Sequence, residues 1–80
     1  MLMPTKHIKT ENALIGVGAE VLSLLDRDKT VSRLFSDLQE DRRENELSTI
    51  HFDWFLLAMD FLFSIGAIRF DSGLIKKMNQ

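Results

Sequence analysis

Asp53 and Asp60 are the first residues here whose type and spacing could do chemistry, because two carboxylates on one helix face can share general acid and base work. Seven residues apart, they share a face but stand about 10 Å from each other at 1.5 Å rise per residue, beyond the roughly 5–9.5 Å of glycosidase carboxylate pairs. They read instead as a solvated acidic stripe, or as partners for an arginine of another chain. His7 and His51 are the two imidazoles, and neither has the His-x-x-x-His or carboxylate spacing of a metal site. The chain has no cysteine, so it has neither a thiolate ligand nor a disulfide. Gly16-Val17-Gly18 is half of a dinucleotide fingerprint, but Val21 stands where the third glycine would be, and the segment is helical rather than a strand-to-helix turn. These are packing glycines, and Gly18 and Ala19, small residues next to the apolar side of the helix, admit a close backbone neighbour. No catalytic, metal or cofactor site is expected, and no small-molecule substrate.

The basic residues raise nucleic acid as a partner. Lys and Arg number 10 against 12 Asp and Glu, a net charge of −2, which gives no general pull toward phosphate or an anionic membrane. Arg69, Lys76 and Lys77 near the C-terminus, with Arg42 and Arg43 in the charged run 40–46, could make weak phosphate contacts. No Lys, Arg, Asn or Gln lies between Phe52 and Ile65, so a helix there has nothing with which to read base edges. Sequence-specific DNA recognition is not expected.

The elements that must position these residues follow from hydrophobic spacing. Residues 1–11 hold the only proline, Pro4, and alternate between apolar and polar types, which predicts an extended arm. From Asn12 to Leu25 the pattern is helical, with Leu14, Val17, Val21, Leu24 and Leu25 on one side. Asp26-Arg27-Asp28-Lys29 breaks it, and Thr30 can cap a second helix over 30–41 carrying the stripe Val31, Leu34, Phe35 and Leu38. Glu40 to Glu46 reads as a helix end running into a solvated loop, and Ser48 or Thr49 can cap a third helix over 49–65. Gly66 suits the left-handed position that ends a helix. Asp71-Ser72-Gly73 then joins two short strands into a hairpin over 67–77. Three helices and a two-stranded wing make a mainly α, winged-helix-like fold, with residues 1–80 as one domain.

The third helix carries more apolar surface than so small a fold can cover. On a helical wheel Asp53, Asp60 and Ser64 fall in a stripe roughly 40° wide, and everything else from Phe52 to Ile65 is apolar. Phe55, Leu62 and Ile65, opposite the stripe, are expected in the core. Trp54, Leu57 and Phe61 border the stripe on one side, and Phe52, Leu56 and Phe63 on the other. At least one border should face a partner. Trp54, Leu57 and Phe61, with Asp53 and Asp60 beside them, are the favoured protein interface, for another protein or a second copy of the chain. The stretch is shorter than the ~17 residues of a membrane-spanning helix. The N-terminus lacks the continuous apolar run of a signal peptide, and the absence of cysteine suits a reducing cytoplasm.

Leu2-x-Pro4-Thr5-Lys6-His7-Ile8, Gly16-x-Gly18-Ala19 and Phe55-x-Leu57-Ala58-Met59-Asp60-x-Leu62-Phe63-x-Ile65-Gly66-Ala67-Ile68 together resemble the ABC-three component (ABC-3C) system middle component 6 family of bacteria. The resemblance covers nearly the whole chain except the charged run at 40–47. It implies a small non-catalytic adaptor subunit acting between an ABC/SMC-like ATPase and a separate effector protein, in systems directed chiefly against phage. The alternative is a winged-helix DNA-binding regulator whose third helix packs inward while Arg69, Lys76 and Lys77 hold DNA.

Overall fold

The computed structural model describes residues 5–78, with side chains from residue 13 onward. Helix α1 runs Thr5–Leu24, α2 Val31–Glu44 and α3 Phe52–Ser64; strands β1, Ile68–Asp71, and β2, Leu74–Lys77, follow. The strands pair antiparallel with Asp71 opposite Leu74 and Ile68 opposite Lys77. Lys29, between α1 and α2, pairs with the other edge of β2: its N–H donates to the Ile75 carbonyl at 3.3 Å, and the Ile75 N–H donates back at 2.7 Å. The winged-helix-like arrangement of three helices and a hairpin is therefore present.

The core is one cluster. Val17, Val21 and Leu25 from the first helix and its exit, Leu34 and Leu38 from α2, Phe55, Ala58, Met59 and Leu62 from α3, and Ile68 and Ile75 from the wing are all buried. These are the i, i+4 rows of each helix, so the amphipathic stripes converge as their spacing requires. Gly18 allows α1 to press on α3. A Cβ built there would lie 3.2 Å from Leu62 Cδ2 and 3.8 Å from a Phe61 ring carbon, whereas one at Gly16 meets nothing within 4 Å. Of Gly18 and Ala19, expected to admit a close backbone neighbour, Gly18 has a close neighbour, which is a side chain, and Ala19 is exposed.

Thr30 caps α2 through its hydroxyl, which accepts from the Arg33 N–H at 3.1 Å. Past the end of α3, Gly66 has φ +75°, its N–H donates to the Phe63 carbonyl, and the Ala67 N–H reaches Leu62 at 2.9 Å. That is the double hydrogen bond of a Schellman ending. The turn between the strands has φ 54° at Ser72 and 80° at Gly73, the left-handed pair of a two-residue type I′ turn.

Four expectations need correction. Residues 5–11, read as part of an extended arm, belong to α1, and residues 1–4 lie outside the described region. A proline immediately before a helix is compatible with it, and no breaker separates Thr5 from Asn12. Helix α2 continues through the charged run to Glu44, because Arg42 and Arg43 suit the negative end of the helix dipole and Arg42 is anchored by Glu20. The third helix begins at Phe52 with His51 as N-cap and no side-chain capping bond, not at Ser48 or Thr49. Gln39 holds the loop extended there, donating to the Ile50 carbonyl at 2.7 Å and accepting from the Ile50 N–H at 2.9 Å. Ile65, expected in the core, is exposed to 60%, since it is the C-cap where the chain leaves the helix.

Candidate protein-interaction surface

The polar stripe of α3 is exposed as its spacing predicts: Asp53, Asp60 and Ser64 all face solvent. Asp53 lies in the first turn of α3, where a carboxylate complements the positive end of the helix dipole. The Ser64 hydroxyl donates to the Asp60 carbonyl at 2.8 Å, so it is satisfied within its own helix.

The borders of the stripe are unequal. Leu57 is exposed to 48%, while Trp54 and Phe61, on the same border, are half-buried and pack on the core. On the other border Phe52, Leu56 and Phe63 are exposed to 44, 40 and 38%. The Phe52 ring is nevertheless held: it meets Phe35 edge-on at 5.0 Å between centroids, and Phe35 and Phe52 lie 5.1 and 5.8 Å from Phe55. The structure thus brings Asp53, Asp60 and Leu57 to one free face. It draws Trp54 and Phe61 partly into the fold.

Trp54 has a second role as one wall of an open cavity of about 320 Å³, lined also by Gly16, Val17, Glu20, Arg42 and Ile50. On its rim the Arg42 guanidinium donates through Nη1 to both Glu20 oxygens at 2.7 and 2.9 Å, and through Nε to the Ser48 carbonyl at 2.6 Å. Sequence reasoning missed this clasp by placing Arg42 in a solvated loop. Glu20, on the polar side of a helix whose other side is core, offered no signal without the tertiary fold.

The basic residues are mostly engaged. The Lys76 ammonium meets Asp28 at 2.6 Å, and Lys77 donates to the Leu22 carbonyl at 3.3 Å. Arg69 is exposed on β1 and makes no side-chain hydrogen bond among the described residues. Lys76 and Lys77, first read as phosphate contacts, are thus occupied in tying the wing to the segment after α1 and to the last turn of α1 itself. Lys29 does the same from the other side: its ammonium bonds Asp37 of α2 at 2.7 Å and lies 3.3 Å from Asp26, and Arg33 reaches Asp37 at 3.1 Å. The hydrogen bond from Lys29 holds the Asp37 carboxyl below the usual carboxylate range against the opposing effect of burial, and the same bond raises Lys29.

Among the described residues no group of three or more His, Cys, Asp or Glu side chains could hold a metal. His51 is an exposed cap, and the side chain of His7 lies outside the described region. No described helix is long and apolar enough to cross a membrane. The Gly16-Val17-Gly18 segment sits in the middle of α1, away from any phosphate-binding turn.

The sequence profile of the ABC-three component (ABC-3C) system Middle Component 6 matches residues 3–79, and the chain belongs to that family. No curated protein and no solved structure matches it. The resemblance in the Pro-Thr-Lys-His start and the long run through α3 is therefore a family relationship over nearly the full length, and the chain is a component of a multi-protein system.

Proposed function

We propose that, as a middle component, this chain is a non-catalytic adaptor that joins an ABC/SMC-like ATPase to an effector protein. It does so through the exposed apolar borders of α3. One observation carries the reading: Phe52, Leu56, Leu57 and Phe63 remain 38–48% exposed on a helix whose only polar side chains form a narrow stripe. Large apolar side chains gathered on one element of a small fold mark a protein-binding surface. Burying such anchors supplies most of the energy of a typical interface. Asp53 and Asp60, between the two borders, would select a partner bearing Arg or Lys opposite them.

Trp54 and Phe61 shape this surface from beneath, so Leu57 is the contact on their border that can be tested without disturbing the fold. The setting we infer is cytoplasmic, in a bacterial system directed against phage. The regulator reading is disfavoured because Lys76 and Lys77 are tied within the chain and the only charged side chains of α3 are carboxylates. The test is purification of the tagged chain from cells carrying the complete system, in a salt series, with the co-purifying molecules identified. The reading expects the ATPase or effector to be retained through high salt, because apolar docking does not weaken as phosphate binding does. Retention of DNA alone, lost steeply with salt, would overturn it.

A further inference from the structure

Strand β1 forms the open edge of the wing. Both backbone groups of Ile75 are taken by Lys29, and Ile75 stands opposite Phe70. Phe70 is therefore at a non-hydrogen-bonded position of the hairpin, and its N–H and C=O point away from β2 toward the open edge. Side chains alternate along a strand, so Phe70 shares the inner face with Ile68 and, across the hairpin, with Ile75. Those two are buried; Phe70 is exposed to 58%. Among the described residues nothing pairs with this edge, which thus combines a free donor, a free acceptor and a large apolar side chain where the core runs out, as an added strand requires.

The neighbours of Phe70 decide which strand. Arg69 and Asp71 are exposed on the opposite face. If a second copy of β1 runs antiparallel with Phe70 opposite Phe70, Arg69 of each chain lies opposite Asp71 of the other. Shifting the register by two residues one way sets Arg69 against Arg69, and the other way Asp71 against Asp71; like charges directly opposite are destabilising. The order of one cation, one aromatic and one anion is therefore self-complementary about a two-fold axis through Phe70, as an isologous interface requires. We propose that the chain forms a two-fold dimer through its β1 edges, with the Phe70 pair closing over the inner face and two Arg69–Asp71 pairs on the outer one. The contact is one short strand per chain, well below the roughly 800 Å² per partner of a standard interface, so the dimer is weak. It uses a surface separate from α3 and does not depend on the adaptor reading.

Sedimentation equilibrium on the whole chain at low ionic strength, up to about 1 mM, reads the association directly. Arg69→Asp and Asp71→Arg should each weaken it about tenfold or more, since both cross-strand pairs become repulsive. The combined Arg69→Asp/Asp71→Arg variant should restore it. Because the chain has no cysteine, disulfide trapping gives a second, independent readout. A mixture of Arg69→Cys and Asp71→Cys should cross-link under mild oxidation faster than either variant alone, because these two positions face each other at a close, non-hydrogen-bonded pair. A monomer at every concentration would overturn the proposal. So would a dimer indifferent to the charge reversals, or equal cross-linking of single variants and mixture.

Discussion

Gly16 and Gly18 sit two residues apart on one helix and should respond oppositely to the same substitution. An interior helical glycine costs about 0.8–1 kcal/mol relative to alanine. At Gly16 a new Cβ meets nothing, so Gly16→Ala should raise the melting temperature, by about 4–8 °C per kcal/mol for a domain of this size. At Gly18 the new Cβ would crowd Leu62 at 3.2 Å, and overpacking offsets the gain. Gly18→Ala should be neutral or destabilising, and thermal melts of the two variants side by side decide it. Glu46 offers a third case. It holds φ 59° at the end of α2, with its N–H on the Arg43 carbonyl and the Leu47 N–H on Arg42 at 2.7 Å. This is a Schellman ending without its usual glycine, so Glu46→Gly should stabilise the chain by up to about 1 kcal/mol in denaturant melts. A loss of stability would mean that the Glu46 side chain contributes more than its backbone costs.

Among the elements, the bridge from Lys29 to Asp37 ties the segment paired with β2 to α2, and the signs of its two shifts set its pH window. Asp37 is lowered from 3.8, so its stabilisation is present above that value and lost as the pH falls through the depressed folded value. Lys29 is raised from 10.5, so its share is present below that value and lost as the pH rises through the elevated folded one. The contribution should therefore be flat across neutral pH and fade in acid and in strong alkali. Lys29→Met should remove the alkaline limb, shrink the acid limb to what Arg33 still sustains at Asp37, and lower stability by about 1.5–3 kcal/mol at neutral pH, the range for hydrogen bonds to charged groups. Unfolding free energies of both proteins against pH check this. A Lys29→Met curve parallel to the wild type would contradict it.

At this scale the sequence was most legible where a residue type has a single local use: Thr30 as a cap, Gly66 as a helix stop, Gly73 in a turn that needs positive φ. It was least legible where position depends on a distant partner. Glu20 and Arg42 are 22 residues apart in sequence, and Gln39 reaches forward to Ile50, so nothing local marks either clasp or the late start of α3. Pro4 misled for a related reason, since the same residue can break a helix or precede one.

For the molecule as a whole, core and surface were legible to different degrees. The buried row of α3 emerged from periodicity, but the division of its apolar borders depends on which side α1 covers. That covered side holds Trp54 and Phe61, while Leu57 and the border of Phe52, Leu56 and Phe63 stay free. The central claim is that this free apolar surface binds a protein. The direct test is the affinity of the chain for the ABC/SMC-like ATPase proposed as its partner, measured for the wild type and for Leu56→Ser/Leu57→Ser, with thermal melts of both. The account predicts a nearly unchanged melting temperature and an affinity loss of about tenfold or more, at 1.4 kcal/mol per decade. Wild-type affinity in a folded double variant would contradict it.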